Sequence, residues 1–263
     1  MTEPPLPFYG VQLNAGLGLI QETVRLLEIW QPGVGTKGLV AAALESGVFP
    51  TVSARRLRNI VVEAFGPRFL ADDGRSAAFL QSVHGRVCSA DFKGMLLIHT
   101  CRANPILHDF ITDVYWQRYA AGHSSVGKDD AVAFVRRAVD TGRTRKRWSN
   151  ITVIRMSRYL LGACEDFGLL GSIRGGGKII PFRITPAVAC FLAHDLHFRG
   201  LGDNAVVRHR DWALFGLALE DTLSEMKRLA LNGEIILQTA VTVTHIAWKL
   251  KSMEELADVL ATR

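Results

Sequence analysis

The stretch that decides the fold is residues 143–185, RTRKRWSNITVIRMSRYLLGACEDFGLLGSIRGGGKIIPFRIT. Ser149 can cap a helix that runs to about residue 167, where Gly168 begins the segment that closes it. Beyond this helix, three glycines at residues 175–177 separate Ile173 from an alternating apolar run at residues 179–184, which is typical of a β-hairpin. A helix followed by a glycine-tipped hairpin is the ending of a winged helix. We therefore expect a winged-helix-like unit at residues 143–198.

The helix after Ser149 has two chemically different faces. At about 100° per residue, four apolar residues fall on one side of the helix and four polar residues on or near the other. The apolar set is Val153, Met156, Leu160 and Cys164, and the polar set is Thr152, Arg155, Arg158 and Tyr159. Ile151 lies toward the polar side and departs from the pattern. We expect the polar face to enter a DNA major groove, about 12 Å wide, where arginines can contact guanine edges.

Positive charge is concentrated in the same stretch. The whole chain has a net charge of +6, and between residues 143 and 178 eight basic residues stand against Glu165 and Asp166. Because this local excess equals the charge of the entire chain, the stretch is the best candidate for contact with a polyanion. The residues before the helix and on the hairpin can neutralise phosphates. The candidate contacts there are Arg143, Arg145, Lys146, Arg147, Trp148, Ser149, Arg174 and Lys178.

A weaker basic helix pair is predicted nearer the amino terminus. A short helix over residues 39–44 is followed by a breaker and by Thr51 or Ser53 as the cap of the next helix. In that helix Arg55, Arg56 and Asn59 project away from an apolar stripe, and Arg and Asn side chains can contact base edges bidentately. The pair is a second candidate DNA contact, with ordinary core packing of two helices as the alternative.

The whole chain is predicted to be mainly α, in four consecutive parts. The parts are an amino-terminal arm and helix-turn-helix at 1–75, a helical middle at 76–142, the winged-helix-like unit at 143–198 and a helical cap with a short hairpin at 199–263. Ser76 and Thr185 are each expected to cap a helix. A helix is expected over about residues 17–30, and one long helix over residues 207–231. A hairpin near residues 235–244 precedes a last helix that Ser252 caps.

Composition excludes several classes of protein. No apolar run approaches the roughly 18 residues of a membrane-spanning helix, and the first residues lack the pattern of a secretion signal. We therefore expect a cytoplasmic protein without a membrane partner. Four scattered cysteines, which form no Cys-x-x-Cys pair, are expected to be reduced core residues. They are Cys88, Cys101, Cys164 and Cys190.

No motif for catalysis is complete. The glycine-containing segments at residues 33–38 and 174–178 lack the residue order of a phosphate-binding loop. His194 and His197 have a spacing compatible with a metal ion, but no further ligand cluster completes the site. His108 and Asp109 have no recognisable nucleophile motif to serve. We therefore expect no enzyme activity, no metal and no cofactor.

Five further landmarks carry a family resemblance. They are Asp109-Phe110, Trp148-Ser149, Arg158-Tyr-Leu-Leu161, Phe167-Gly-Leu-Leu170 and Trp212-Ala-Leu-Phe215. Together with the order of helix-turn-helix, helical middle and basic helix, they resemble the BrxA proteins of BREX bacteriophage-defence systems, across about residues 17–260. The resemblance implies a small helical accessory protein that binds double-stranded DNA and acts beside the methyltransferase, ATPase and phosphatase-like components of the system.

These observations predict a non-catalytic, double-stranded DNA-binding accessory protein. Binding should be largely electrostatic, through roughly six to eight phosphate contacts, and sequence preference should lie in Arg155, Arg158 and Asn59. Two alternatives remain open. One is an RNA-binding, antitermination-like factor, because the family has been likened to NusB-type proteins. The other is an assembly module whose basic face binds another component of the defence system.

Overall fold

The described part of the chain is mainly helical, which confirms the mainly α prediction. The fold comes from a computed structural model that describes residues 8–16, 18–240 and 243–262. The helices are α1 (Ile20–Ile29), α2 (Thr36–Glu45), α3 (Ala54–Asn59), α4 (Arg75–Val83), α5 (Ser89–Ala103), α6 (Pro105–Phe110), α7 (Trp116–Ala120), α8 (Lys128–Asp140), α9 (Asn150–Asp166), α10 (Pro186–Phe198), α11 (Asp203–Val207), α12 (Leu219–Leu231) and α13 (Met253–Ala261). Wide π-helical turns continue α3 through Ile60–Leu70 and join α6 to α7 through Ile111–Tyr115. The strands are β1 (Ile235–Ala240) and β2 (Val243–Trp248).

Two compact units share these elements. The first unit contains the residues up to Gly74 together with His99–Phe182, and the second contains Arg75–Ile98 and the residues from Arg183 onward. Each unit thus collects two separate stretches of chain, and α10 belongs to the second. The division into four consecutive parts, made from the sequence, stays a prediction. In the part of the chain that is described, no helix is both long and apolar enough to cross a membrane.

The first unit is organised around the packing of α8 against α9. Asp130 accepts a hydrogen bond from the backbone N–H of Gly127 at 2.8 Å, which satisfies a donor at the start of α8. From α8, Phe134 is buried and meets the ring of Phe110 edge-on, with the ring centroids 5.4 Å apart. From α9, Met156 is fully buried. The apolar face predicted for α9 is therefore the face that packs.

Three short segments lie side by side at one end of α8 and α9. The backbone N–H of Val126 donates to the carbonyl of Gly177 at 3.0 Å, and Ser125 and Lys178 form an antiparallel bridge. On the other side, Leu170 and Ile179 form a second antiparallel bridge. Residues 178–180 therefore lie between residues 124–126, which precede α8, and residues 169–171, which follow α9.

The predicted hairpin at residues 172–185 is wrong in its register. Ile173 does not start a strand, because Ile173–Gly175 forms a 3-10 turn. The chain pairs earlier, where Leu170 meets Ile179, and the intervening loop is residues 171–178. Pro181 explains why the pairing stops, since a proline has no N–H to donate to a strand ladder. The alternating run at residues 179–184 is therefore not a strand.

Three further sequence predictions need correction. Ser76 lies inside α4 and is buried, so it is not the cap. The long helix over residues 207–231 is divided into α11, a 3-10 turn at Arg210–Phe215 and α12. Gly216, with a left-handed backbone at φ of 70°, separates the 3-10 turn from α12. Cys88 is exposed, whereas the other three cysteines are buried, and all four are free thiols.

Four predicted helix caps are confirmed. The side chains of Ser53, Ser149, Thr185 and Ser252 each accept a hydrogen bond from a backbone N–H in the first turn of α3, α9, α10 and α13. Residues 1–7 of the predicted extended arm, the helix start predicted at residue 17 and residues 241–242 of the predicted hairpin lie outside the described residues.

The second unit is built around α10, whose residues from Ala187 to Leu196 are all buried. Helices α12 and α13 pack on it, and the antiparallel β1–β2 hairpin confirms the sequence prediction. Asp203 accepts hydrogen bonds from the backbone N–H of Ile246 at 2.9 Å and from the indole of Trp248 at 3.1 Å. Because a side chain of α11 accepts hydrogen bonds from two groups of β2, this strand is fixed to α11.

Candidate nucleic-acid interface

The amino-terminal end of α9 is fixed by its cap. The Ser149 hydroxyl accepts a hydrogen bond from the backbone N–H of Thr152 at 3.3 Å and lies 3.1 Å from the Thr152 hydroxyl. Asn150, the first residue of the helix, is exposed, and its side-chain oxygen accepts a hydrogen bond from Arg136 of α8 at 3.4 Å. The first turn of α9 is therefore tied to α8 while its outer surface remains open.

The outer face of α9 carries the side chains that the sequence assigned to it. Arg155 and Arg158 are exposed, and Thr152 and Tyr159 are half-buried. No ion pair within the described ranges occupies either arginine. Ile151 is 75% exposed, the highest value among the described large apolar side chains of the first unit. Two arginines and one isoleucine thus dominate a face directed to solvent.

The basic segment at residues 143–148 begins with an anchored arginine. Arg143 donates to the carboxylate of Asp109 at 2.9 Å and lies over the ring of Tyr9, 4.3 Å from the centroid. The Tyr9 hydroxyl donates to the same carboxylate at 2.6 Å, and the Tyr9 backbone N–H donates to the carbonyl of Arg143 at 2.7 Å. Burial and the hydrogen bond to Asp109 raise the pKa of Tyr9. Arg143, predicted as a DNA contact, therefore has a partner within the protein.

The rest of the segment remains open to solvent. Arg145, Lys146 and Arg147 are exposed, and Trp148 is half-buried. Thr144 is buried and pairs with Tyr9 in a parallel bridge, so the segment is held at its first two residues. An anchored start followed by three exposed cations suits contact with phosphates, because the backbone path is fixed while the charges remain accessible.

The loop at residues 171–178 presents two more cations. Arg174 and Lys178 are exposed, and the 3-10 turn that contains Arg174 contacts α9. Gly177 has φ of +63°, and a Cβ atom added there would lie 2.4 Å from the carbonyl oxygen of Val126. A glycine at residue 177 is therefore what allows the loop to approach residues 124–126. The sequence showed the glycines but not this pairing partner.

The amino-terminal helix pair forms a separate candidate surface. Arg55, Arg56 and Asn59 are exposed on α3, and Leu57 and Ile60 are buried beneath them. Helix α3 contacts α2 and the π-helical segment that follows it, whereas α9 contacts α8, α6 and the 3-10 turns at Gln12–Ala15 and Ile173–Gly175. The two basic groups thus have different packing neighbours within the first unit.

Sequence reasoning missed three exposed basic residues, one within the amino-terminal candidate helix and two on α8. Arg58 on α3 and Arg136 and Arg137 on α8 are exposed. The exposure of Arg136 and Arg137 was predictable from the strong amphipathic pattern of α8, which places them opposite the buried Phe134 and Val135. Only the hydrogen bond from Arg136 to Asn150 reveals that one of them borders the start of α9.

The histidine pair on α10 has structural partners. The Nδ1 atom of His194 lies 2.9 Å from the carbonyl oxygen of Cys190, and the ring of His197 stacks on Trp248 at 4.3 Å. Burial lowers the pKa of His197, although Asp203 opposes this shift. Among the residues described, no group of three His, Cys, Asp or Glu side chains is placed to hold a metal ion.

Comparison with known proteins gives one family and one fold match of note. The family described as BrxA matches this chain over residues 8–195. A crystal structure of an uncharacterized protein from Magnetospirillum magneticum is similar with a TM-score of 0.55 and 13% identity, over 78% of this chain and 98% of that one. No curated protein matches. At this identity the structural likeness bears on the fold alone.

Proposed function

This chain belongs to the BrxA family, and we propose that it binds double-stranded DNA through α9 and the loop at residues 171–178. Membership of the family points to a function associated with BREX bacteriophage defence. Within it, we assign this protein a non-catalytic, cytoplasmic accessory role that needs no cofactor. The DNA-binding part of the proposal rests on the arrangement of the first unit.

The observation that carries the proposal is the order of elements around α9. A helix (α6–α7), a bridged segment (124–126), two helices (α8 and α9) and two more bridged segments (169–171 and 178–180) follow one another. A winged helix has the same order, helix, strand, helix, helix, strand, strand, and its third helix is the one that enters the groove. On this reading the unit starts near Pro105, before the boundary expected from the sequence.

Charge and exposure favour DNA as the ligand of this unit. Arg155 and Arg158 lie on the outer face of α9, where guanidinium groups can donate bidentately to guanine. The exposed cations before the helix and on the loop lie on the same unit and suit phosphates on either side of the groove. They are Arg145, Lys146, Arg147, Arg174 and Lys178. A helix for bases, flanked by cations for phosphates, is how winged-helix proteins divide these tasks.

The direct test is a binding titration with the purified protein. We expect a duplex of random sequence to bind in fluorescence anisotropy and to lose orders of magnitude in affinity between about 50 and 200 mM salt. An RNA strand of matched sequence, single-stranded and folded, is titrated in parallel. Stronger binding to RNA than to the duplex would transfer the proposal to the antitermination-like alternative.

A triple variant identifies the surface. Arg145→Ala, Lys146→Ala and Arg147→Ala together should weaken binding to every duplex alike. They should also make the negative slope of log K against log salt shallower by about three, because each phosphate that a cation neutralises adds close to one to the magnitude of that slope. The control removes three exposed lysines of the second unit, Lys227, Lys249 and Lys251. If the two triple variants behave alike, net charge alone drives binding and the α9 surface is not the site.

A second candidate function is assembly with other BREX components. The second unit exposes Leu231 at the end of α12, 87% accessible, and Ile236 on β1. Both side chains are available for burial by a protein partner, which would remove their apolar surface from water. Co-purification with BREX components that survives nuclease digestion and is abolished in Leu231→Asp would support this function.

A further inference from the structure

One apolar side chain on the proposed reading face of α9 lies mostly in solvent. Ile151 is 75% exposed in the first turn of the helix, whereas Val153 and Met156 on the opposite face are buried. A large exposed isoleucine at a helix start gains nothing from helix propensity, because β-branched residues are mediocre helix formers. Because single exposed apolar side chains are common on protein surfaces, the significance of Ile151 depends on its position among the cations of this face.

The neighbours of Ile151 are cations rather than other apolar groups. Arg155 and Arg158 follow it at spacings of four and seven residues, so all three lie along one row of the helix surface. Arg145, Lys146 and Arg147 precede it, and Asn150 beside it accepts a hydrogen bond from Arg136. A protein partner with an apolar patch would have to bury these charges, whereas DNA presents isolated methyl groups within a field of phosphates.

We propose that Ile151 recognises the C5-methyl group of a pyrimidine in the major groove. The proposal rests on the DNA-binding function proposed above, and it names what α9 would read. Residues at the amino-terminal end of a recognition helix contact base edges, and a methyl at C5 is the one apolar group that those edges offer. Thymine carries this methyl, and so does 5-methylcytosine. Both sources share the chemistry that an isoleucine side chain fits.

The test compares duplexes that differ only in the methyl group. Alternating d(AT) and d(AU) duplexes share base pairing and charge, and alternating d(GC) duplexes are prepared with cytosine or with 5-methylcytosine. The wild-type protein should bind a methylated member about fourfold more tightly than its unmethylated partner for each methyl buried, from about 0.8 kcal/mol per buried carbon. A gain in the d(AT) pair identifies thymine, and a gain in the d(GC) pair identifies 5-methylcytosine.

Variants assign the effect to the side chain. Ile151→Ala should bind both members of a pair equally, with the steep salt dependence unchanged, and Ile151→Val should keep part of the preference. Leu231→Ala, an exposed apolar residue of the second unit, is the matched control and should keep the full preference. Salt-sensitive binding by the wild type with no methyl preference in either pair would overturn this inference and leave the DNA-binding function intact. Absence of binding to any duplex would overturn both.

Discussion

The glycines of the loop at residues 171–178 allow a graded test of the bridge between residues 124–126 and 178–180. Gly175, Gly176 and Gly177 are consecutive but differ in backbone and surroundings. Gly175 lies outside the left-handed region, and an added Cβ would meet the Ser172 Cβ at an ordinary 3.8 Å. Gly176 has φ of +95° with open space around it, and Gly177 combines φ of +63° with the carbonyl oxygen of Val126 at 2.4 Å from an added Cβ. Alanine at these positions therefore separates conformational strain from steric conflict.

The expected costs follow from these differences. Gly175→Ala should leave the free energy of unfolding unchanged or raise it slightly, because alanine restricts the unfolded chain. Gly176→Ala should cost about 1–2 kcal/mol, the strain of a left-handed non-glycine residue. Gly177→Ala carries the same strain, and its Cβ would also meet the carbonyl oxygen of Val126 and push residue 177 away. This movement breaks the 3.0 Å hydrogen bond from the backbone N–H of Val126 to the carbonyl of Gly177, so we expect a cost of about 3 kcal/mol in total. For a protein of this size, a cost of about 3 kcal/mol means that the melting temperature of Gly177→Ala should fall by roughly 6–12 °C.

Thermal and urea unfolding of the three variants measure these values, and the duplex titration measures their effect on binding. Gly177→Ala should also weaken duplex binding after correction for the folded fraction, because Lys178 follows the displaced bridge. If Gly176→Ala and Gly177→Ala lower the free energy of unfolding by amounts that agree within about 0.5 kcal/mol, residue 177 does not contact residue 126. The winged-helix interpretation would then lack its first strand.

Two further substitutions test the anchors of each unit. Burial raises the pKa of the Tyr9 and Tyr115 hydroxyls, so the unfolded chain loses these protons first and the free energy of unfolding should fall as pH rises above about 10. In urea denaturation, Tyr9→Phe should make this fall less steep and should cost about 1–2 kcal/mol at neutral pH. An unchanged pH profile in this variant would contradict the prediction. Asp203→Ala should destabilise the second unit by about 2–3 kcal/mol and speed hydrogen exchange at Ile246, with duplex affinity unchanged; retained protection would refute the anchoring role.

Local patterns in the sequence were sufficient to predict α9 and its cap. Ser149 is followed by residues whose apolar members repeat at helical spacing, so both the start of the helix and its buried face depend on neighbours within one or two turns. The caps Ser53, Thr185 and Ser252 were predictable for the same reason. Their partners are backbone N–H groups three residues away.

Non-local pairings could not be predicted in this way. Residues 124–126 carry no pattern of a strand, and they are paired only because Gly177 reaches them after two intervening helices. Similarly, Arg143 was expected to be available to DNA because its sequence neighbours are basic. Its actual partners, Asp109 and Tyr9, lie 34 and 134 residues away, and no spacing rule connects them.

The engagement of Arg143 also changes what the salt dependence should be. The sequence alone suggested roughly six to eight phosphate contacts. With Arg143 held by Asp109, and with Arg155 and Arg158 directed at bases, the exposed cations that the α9 proposal assigns to phosphates are Arg145, Lys146, Arg147, Arg174 and Lys178. Five contacts correspond to a slope of about −4.5 for log K against log salt on duplex DNA. A slope of about −6.3, which corresponds to seven contacts, would mean that α9 lies along the phosphates instead of in the groove, because both of its arginines would then contact the backbone.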